Sequence, residues 1–303
     1  MLETGRLWKR LTQVSEAALR SGAQRPLRTQ YVVMEDRGIR FIVRFLASLA
    51  DKQQARRAQE TAGASGGGRV NPFLPYDRDL FVADLSDTHL CLLNKFNVLE
   101  HHLLIVTRRF EHQETLLTLE DFHALWTCLF EYDGLGFYNG GEAAGASQPH
   151  KHLQVVPLPM TDQGPRVPVE PLLASTVFQG VTGVTPGIPW AHAWVRLSGF
   201  SSPDPTGAAR VSLERYRAML EAVGLGAGGG PGGRRQVGPY NLLVTREWML
   251  LTPRSREHCG TVSVNALGFA GALLVKNTEE MNRVKDLGPV EVLRTVGMPP
   301  SGR

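Results

Sequence analysis

Residues 150–155 read His-Lys-His-Leu-Gln-Val, and this alternation constrains the chain more than any other stretch. On a β-strand, successive side chains leave from opposite faces. His150, His152 and Gln154 then point to one side, and Lys151, Leu153 and Val155 to the other. Just upstream, residues 137–148 run Phe-Tyr-Asn-Gly-Gly-Glu-Ala-Ala-Gly-Ala-Ser-Gln and lead into Pro149. Three nitrogen-bearing side chains on one strand face, beside a loop of small residues, suggest a phosphate site with a nucleophile in it.

Histidine is the side chain whose ordinary pKa leaves it largely neutral yet protonatable near neutrality. A neutral imidazole nitrogen attacks phosphorus directly when its other nitrogen donates to a carbonyl that fixes the tautomer. The covalent phosphoramidate then splits one displacement into two easier ones. His152 lies between His150 and Gln154 on the shared face, so it is the best-placed nucleophile, with partners on both sides to hold non-bridging oxygens. Gln154 narrows the chemistry. A histidine there could act as a general acid toward a poor leaving group, whereas an amide only donates an N–H. Polyphosphate chains and inorganic phosphate need no proton to leave or attack, so nucleotidyl transfer fits better than hydrolysis of alcohol or amine esters.

The loop offers backbone N–H groups at 139–141 and at Gly145, Ala146, Ser147 and Gln148, with the side chains of Asn139 and Ser147. Lys52, the pair Asn94 and Lys95, and Arg254 and Arg256 in the segment that starts at Thr252 are candidate polar and cationic contacts. Phosphoryl transfer draws such charges from several segments. A His-x-His on a strand is also a metal-ligand pair or an ordinary surface pair. His89, His101, His102, His112, His123, His192 and His258 read as structural or solvent-facing, and Trp194 and Trp248 as core.

The chain has 303 residues, 33 basic and 29 acidic, for a net charge of +4. That excess is too mild to argue for nucleic acid. Cys91, Cys128 and Cys259 are widely spaced, which argues against a disulfide framework or a cysteine zinc site and for a cytoplasmic protein with reduced thiols. No apolar run approaches the roughly 20 residues that span a bilayer, and the charged N-terminus lacks a signal-peptide core.

Periodicity predicts helices over 3–20, from an N-cap at Thr118 to Gly134, over 212–223 and 277–287, and a short one from Pro289. Strands are expected at 31–34, 39–45, 80–83, 89–93, 102–107, 193–197, 240–245, 248–252 and 262–264. Residues 52–70 and 224–233 read as loops. The proline-dense span 157–189 reads as the crossing between two lobes. The first, 1–165, holds the His-x-His-x-Gln strand; the second, 166–303, contributes phosphate and nucleotide contacts.

These residues resemble a known set. Residues 150–154 match the His-x-His-x-Gln form of the histidine-triad superfamily. Residues 94–96, 103–107, 137–140, 146–154 and 240–249 are more specifically similar to the ATP adenylyltransferases, also called diadenosine tetraphosphate phosphorylases. The resemblance runs from about Leu7 to about Val275. It implies an α+β fold of the histidine-triad type, mostly antiparallel sheet flanked by helices and two-lobed. The implied activity is phosphorolysis of diadenosine tetraphosphate to ATP and ADP, and the reverse, with His152 adenylylated. It places Lys52, Asn94, Lys95, Asn139, Gly145, Ala146, Ser147, Gln148, Gln154, Thr245, Arg246, Glu247, Thr252 and Arg256 at substrate-binding positions. Galactose-1-phosphate uridylyltransferases share His-x-His-x-Gln but would be expected to carry zinc-binding cysteines. The expected partners are the nucleotides and phosphate, with no nucleic acid and no membrane, in a monomer or homodimer. No tightly bound cofactor is expected, with Mg²⁺ arriving only alongside the nucleotide. The alternatives are a dinucleotide polyphosphate hydrolase and a nucleotide sensor without turnover.

Overall fold

The computed structural model describes residues 5–47, 71–197, 200, 203–226, 228 and 233–300. Helix α1 (Leu7–Ser21) buries Leu7, Leu11, Ser15 and Ala18, three or four residues apart, so a single stripe faces the core. Gly22 ends it at φ 75°, donating its N–H to the Leu19 carbonyl. Strands β1 (Thr29–Asp36) and β2 (Ile39–Leu46) form the expected hairpin. Arg37 and Gly38 turn it with φ of 48° and 78°, the mirror-image turn that matches the twist of paired strands.

The central sheet draws on ten strands. The N-terminal half supplies β3 (Phe81–Asp84), β4 (His89–Leu93), β5 (Leu103–Thr107), β6 (Gly134–Gly140) and β7 (His152–Pro157). The C-terminal half supplies β8 (Val177–Gln179), β9 (Thr182–Val184), β10 (Ala193–Arg196), β11 (Tyr240–Val244) and β12 (Trp248–Pro253). Their order is β3-β4-β5-β7-β6-β11-β12-β10-β9-β8, antiparallel at every step. The two halves therefore join edge to edge, where β6 pairs with β11 from Tyr240 opposite Gly140 to Val244 opposite Gly136. β13 (His258–Cys259) and β14 (Val262–Ser263) make a short separate pair. β15 (Ala272–Val275) runs parallel to β2 in a second, three-stranded sheet.

Side-chain alternation gives the central sheet two differently covered faces. On one, α1, α2 (Leu119–Glu131) and α3 (Pro205–Ala222) bring Phe122, Trp126, Leu129, Tyr216 and Met219 against Leu153, Val155, Leu242, Val244 and Leu251. On the other, the three-stranded sheet and helices α4 (Ala266–Phe269), α5 (Thr278–Leu287) and α6 (Pro289–Val296) cover Phe137, Val156, Leu243, Trp194, Trp248 and Leu250. Trp194 and Trp248 are core, as expected, and meet edge to face at 5.2 Å. Thr118 caps α2 in a reciprocal box with Asp121.

Three elements differ from the periodicity reading. α3 starts at Pro205 rather than 212, because the Asp204 carboxylate accepts the Thr206 and Gly207 N–H groups and Pro205 takes the first helical position. The span 157–189 is not only a crossing, since β8 and β9 form a hairpin that extends the sheet at its edge, where proline-flanked strands are tolerated. Residues 137–140 belong to β6 rather than to the loop, which starts at Gly141. Cys91, Cys128 and Cys259 are buried free thiols. Among the described residues, no helix is long and apolar enough to cross a membrane.

Candidate functional site

β7 lies between β5 and β6, and His152 opens it at the edge of the loop that begins with Gly141. The Nδ1–H of His152 donates to the His150 carbonyl at 2.8 Å. A carbonyl only accepts, so this contact fixes the tautomer and leaves the lone pair on Nε2. No hydrogen bond engages Nε2 among the described residues. Burial pulls the His152 pKa down to about 4, partly countered by the His150 carbonyl. The ring is therefore neutral at physiological pH, the state a nitrogen nucleophile requires.

The backbone around it is clamped by Gln113, which lies fully inside. Its Oε1 accepts the His152 N–H at 2.9 Å, while its Nε2 donates to the carbonyls of Asn139 at 2.9 Å and His152 at 3.2 Å. The β6–β7 pairing stops at Phe137 opposite Gln154, so one side chain completes the junction where the strands part. Phe73 closes the opposite side, with its ring 5.4 Å from that of His152 and 5.6 Å from that of His150.

His150 departs from its expected role. Its Nε2–H meets the Thr107 carbonyl at 2.8 Å, and its Nδ1 takes the Asn71 amide at 2.9 Å. Both ring nitrogens are committed to the protein, so what His150 offers His152 is its carbonyl. Gln154, two residues on, is held through its oxygen: Oε1 accepts from His102 Nε2 at 3.0 Å.

On β6, Asn139 is held in the same manner from the other half of the chain. Its Oδ1 accepts the Asn241 amide and the Ala266 N–H, each at 2.9 Å. Asn241 in turn accepts a hydrogen bond from the Arg254 guanidinium. With its oxygen doubly occupied, Asn139 has its N–H₂ left to donate. Arg254 itself is buried and bonds to the carbonyls of Ala144, Val296, Arg256 and Glu257. It stands behind Asn241 and braces it.

The loop splits the N–H groups expected to cradle phosphate. Gly145 and Ala146 turn theirs inward, to the carbonyls of Glu142 at 2.8 Å and Gly141 at 3.1 Å. Gly145 sits at φ 86° with its Cα against Asn265, where a side chain would collide with the Val264 carbonyl. The N–H groups of Ser147 and Gln148 and the exposed Ser147 hydroxyl have no partner among the described residues. A polar cavity of about 460 Å³ opens beside this loop, with His112, Arg235 and His258 facing Glu114 and Glu257.

Behind β7, on the helix side, Lys151 is fully buried. Its ammonium reaches Asp121 at 2.5 Å, the Leu116 carbonyl at 3.0 Å and Glu111 at 3.3 Å. Burial alone would raise the Asp121 carboxyl, but Lys151 and His89 together hold it down to about 2. The residue between the two histidines thus nails the strand to the N-terminus of α2.

The remaining candidates scatter. Thr245, Arg246 and Glu247 turn the far end of the β11–β12 hairpin, beside Gly136 rather than beside the loop. There Thr245 caps the turn, Arg246 donates to the Leu129 carbonyl and Glu247 pairs with Arg166. Of these, the Arg246 bond ties the two halves at the end of the sheet opposite His152. Thr252 pairs with Asn241, and its hydroxyl is buried without a partner among the described residues. Lys95 reaches Asp77 at 3.9 Å on the surface, and Arg256 is exposed. Lys52 lies outside the described residues.

Both halves match known families. The Ap4A phosphorylase N-terminal domain covers residues 1–175, and the ATP adenylyltransferase C-terminal domain covers 186–299. The chain belongs to the Ap4A phosphorylase family. Diadenosine 5',5'''-P1,P4-tetraphosphate phosphorylase 2 of Saccharomyces cerevisiae is 27% identical over 267 residues, which is 80% of this chain and 78% of that one. The yeast Protein APA1 is 26% identical over 266 residues, covering 81% and 78%. The crystal structure of yeast Ap4A phosphorylase Apa2 superposes with a TM-score of 0.75 at 25% identity, over 100% of this chain and 97% of that one. The same yeast enzyme in complex with Ap4A shares the fold at a TM-score of 0.74 and 22% identity, over 100% of both chains. In this Ap4A phosphorylase family member, Gln113, His102, Asn71 and Asn241 also support the site, through hydrogen bonds to His152, Gln154, His150 and Asn139. Of these four, Asn241 alone lies in a segment that the sequence marks, residues 240–249.

Proposed function

We infer that this protein transfers an adenylyl group from diadenosine tetraphosphate to inorganic phosphate, yielding ATP and ADP, and catalyses the reverse. The observation that carries this is the state of His152, neutral and with Nε2 unbonded, in a chain whose two halves both match the family. The Nε2 lone pair attacks the phosphorus next to one adenosine. The bond from that phosphorus to its bridging oxygen breaks, and ATP leaves with the oxygen and its electron pair. Phosphate then attacks the adenylyl phosphorus, the P–N bond returns its electrons to Nε2, and ADP forms.

Neither departure needs a proton from the protein, which suits Gln154, an amide that donates without titrating. The N–H₂ groups of Asn139 and Gln154 and the N–H groups of Ser147 and Gln148 supply donors for phosphoryl oxygens as charge shifts among them. Mg²⁺, where the reaction uses it, enters with the polyphosphate. The three unpaired cysteines suit a reducing, cytoplasmic setting.

Incubation with adenosine-labelled diadenosine tetraphosphate in the absence of phosphate, followed by mass analysis of the peptide containing His152, is expected to find an adenylyl adduct there, with ATP released. ADP should appear from diadenosine tetraphosphate only with phosphate present. Equal turnover without phosphate would replace this reading with dinucleotide hydrolysis.

A further inference from the structure

The Gln154 carboxamide has two chemically opposite ends, and only its nitrogen end assists a phosphoryl group. Turned round, it would set a carbonyl oxygen against phosphoryl oxygens. Three side chains select the orientation. Asn94 Oδ1 lies 3.0 Å from the Phe96 N–H, and a backbone N–H only donates. The Asn94 oxygen must therefore face Phe96, and its nitrogen must face His102 Nδ1, 3.2 Å away. That ring nitrogen must accept, so the proton of the neutral ring sits on Nε2. His102 Nε2 then donates to Gln154 Oε1 at 3.0 Å, and the Gln154 N–H₂ is what remains. Each choice follows from the one before, and the first rests on a group that cannot reverse.

The surroundings keep the sequence of donors intact. His102 is buried, its ring 5.7 Å from that of Phe137. Burial lowers its pKa to about 4, which disfavours the imidazolium that would donate at both nitrogens and expel Asn94. The His102 carbonyl accepts the Asn94 N–H at 2.9 Å, so the two residues are tied through backbone as well.

We propose that His102 is a positioning residue for adenylyl transfer: it relays the orientation of Asn94 to Gln154 and holds the Gln154 amide nitrogen toward the phosphoryl group at His152. This rests on the adenylyl-transfer reading of His152. It also recasts Asn94 as the start of an internal relay.

Two measurements on the full chain test it. Long-range proton–nitrogen correlation spectra of ¹⁵N-histidine-labelled protein at pH 7 should show His102 protonated at Nε2 and bare at Nδ1. The opposite tautomer, or a doubly protonated ring, would overturn the relay whether or not the protein turns over. In single-turnover adenylylation with labelled diadenosine tetraphosphate and no added phosphate, His102→Phe should slow the maximal rate about 10- to 100-fold, with the half-saturating nucleotide concentration within about threefold. His102→Gln, which can donate from Nε2, should recover to within about threefold of the unaltered protein. In a Gln154→Ala background, His102→Phe should cost less than about twofold, because nothing remains to orient. Equal losses for Phe and Gln, or the same penalty in both backgrounds, would make His102 merely structural. Absence of any adduct in the unaltered protein overturns the adenylyl-transfer reading itself, and is seen before any variant is made.

Discussion

The two halves of the central sheet turn the same face in one direction and use it differently. In the C-terminal half, Leu243, Trp248, Leu250 and Trp194 are sealed beneath the three-stranded sheet and its helices. In the N-terminal half, Phe137 and Val156 share that cover, but the face continues into His152, Gln154 and Asn139, flanked by Phe73, Leu90, Leu92, Leu104 and Val106. Near the junction the two styles meet in Asn241 and Arg254, polar side chains from the packed half that brace Asn139 in the reactive half. The C-terminal half supplies packing and bracing, and the N-terminal half carries the polar side chains proposed to meet the phosphoryl group. A donor held within tenths of an ångström costs little reorganisation when the phosphoryl group arrives.

If that division holds, His152→Ala should lower phosphate-dependent ADP release by at least about 1,000-fold with no change in circular dichroism. A residual activity above that level would put the chemistry elsewhere. Trp194→Ala should cost roughly 3–5 kcal/mol of stability, read from the urea midpoint, because it opens a cavity against Trp248. The folded fraction should still become adenylylated at His152, and loss of that adduct in folded protein would break the comparison.

Asp121 couples the two concerns. Its folded-state carboxyl is depressed to about 2 by Lys151 and His89 against the cost of burial, so its contribution is present above the ordinary carboxylate range. That contribution, roughly 2 kcal/mol, is lost as pH falls from about 4 through about 2. Denaturation midpoints measured across that window should drop in the unaltered protein and flatten in Asp121→Asn. The smallest effect concerns His152: with a pKa of about 4, its Nε2 lone pair stays free until pH falls through that value. Single-turnover adenylylation should change less than about twofold between pH 8 and pH 5.5, whereas an ordinary imidazole would lose most of its rate over the same interval.

What was readable in the sequence had short range. The period of two along residues 150–155 assigned the faces of β7 correctly, with Leu153 and Val155 on the helix side and Lys151 anchored there with them. The Thr118 cap and the turn at Arg37 and Gly38 were likewise written in neighbouring residues. What escaped were partnerships across long intervals. Gln113 meets His152 39 residues on, His102 meets Gln154 52 residues on, and Asn139 meets Asn241 102 residues on. No local pattern marks a glutamine that will complete a strand junction. His102 sits in an apolar run and reads as structural or solvent-facing; it is buried, against Gln154. Arg254 misled in the other direction, because a charge near candidate phosphate ligands reads as a ligand until its carbonyl partners are known.

The edge-to-edge union of β6 and β11 has a consequence during synthesis. About a hundred residues separate the two strands, so the ribosome emits β6 well before β11. Throughout that interval the emerging chain holds a β6 edge whose N–H and C=O groups are unpaired, and Phe137 and Leu135 lie uncovered. The nascent protein must pass this window without finding another strand to bind. Asn139 cannot take up its final orientation until Asn241 and Ala266 have been made, 102 and 127 residues after it.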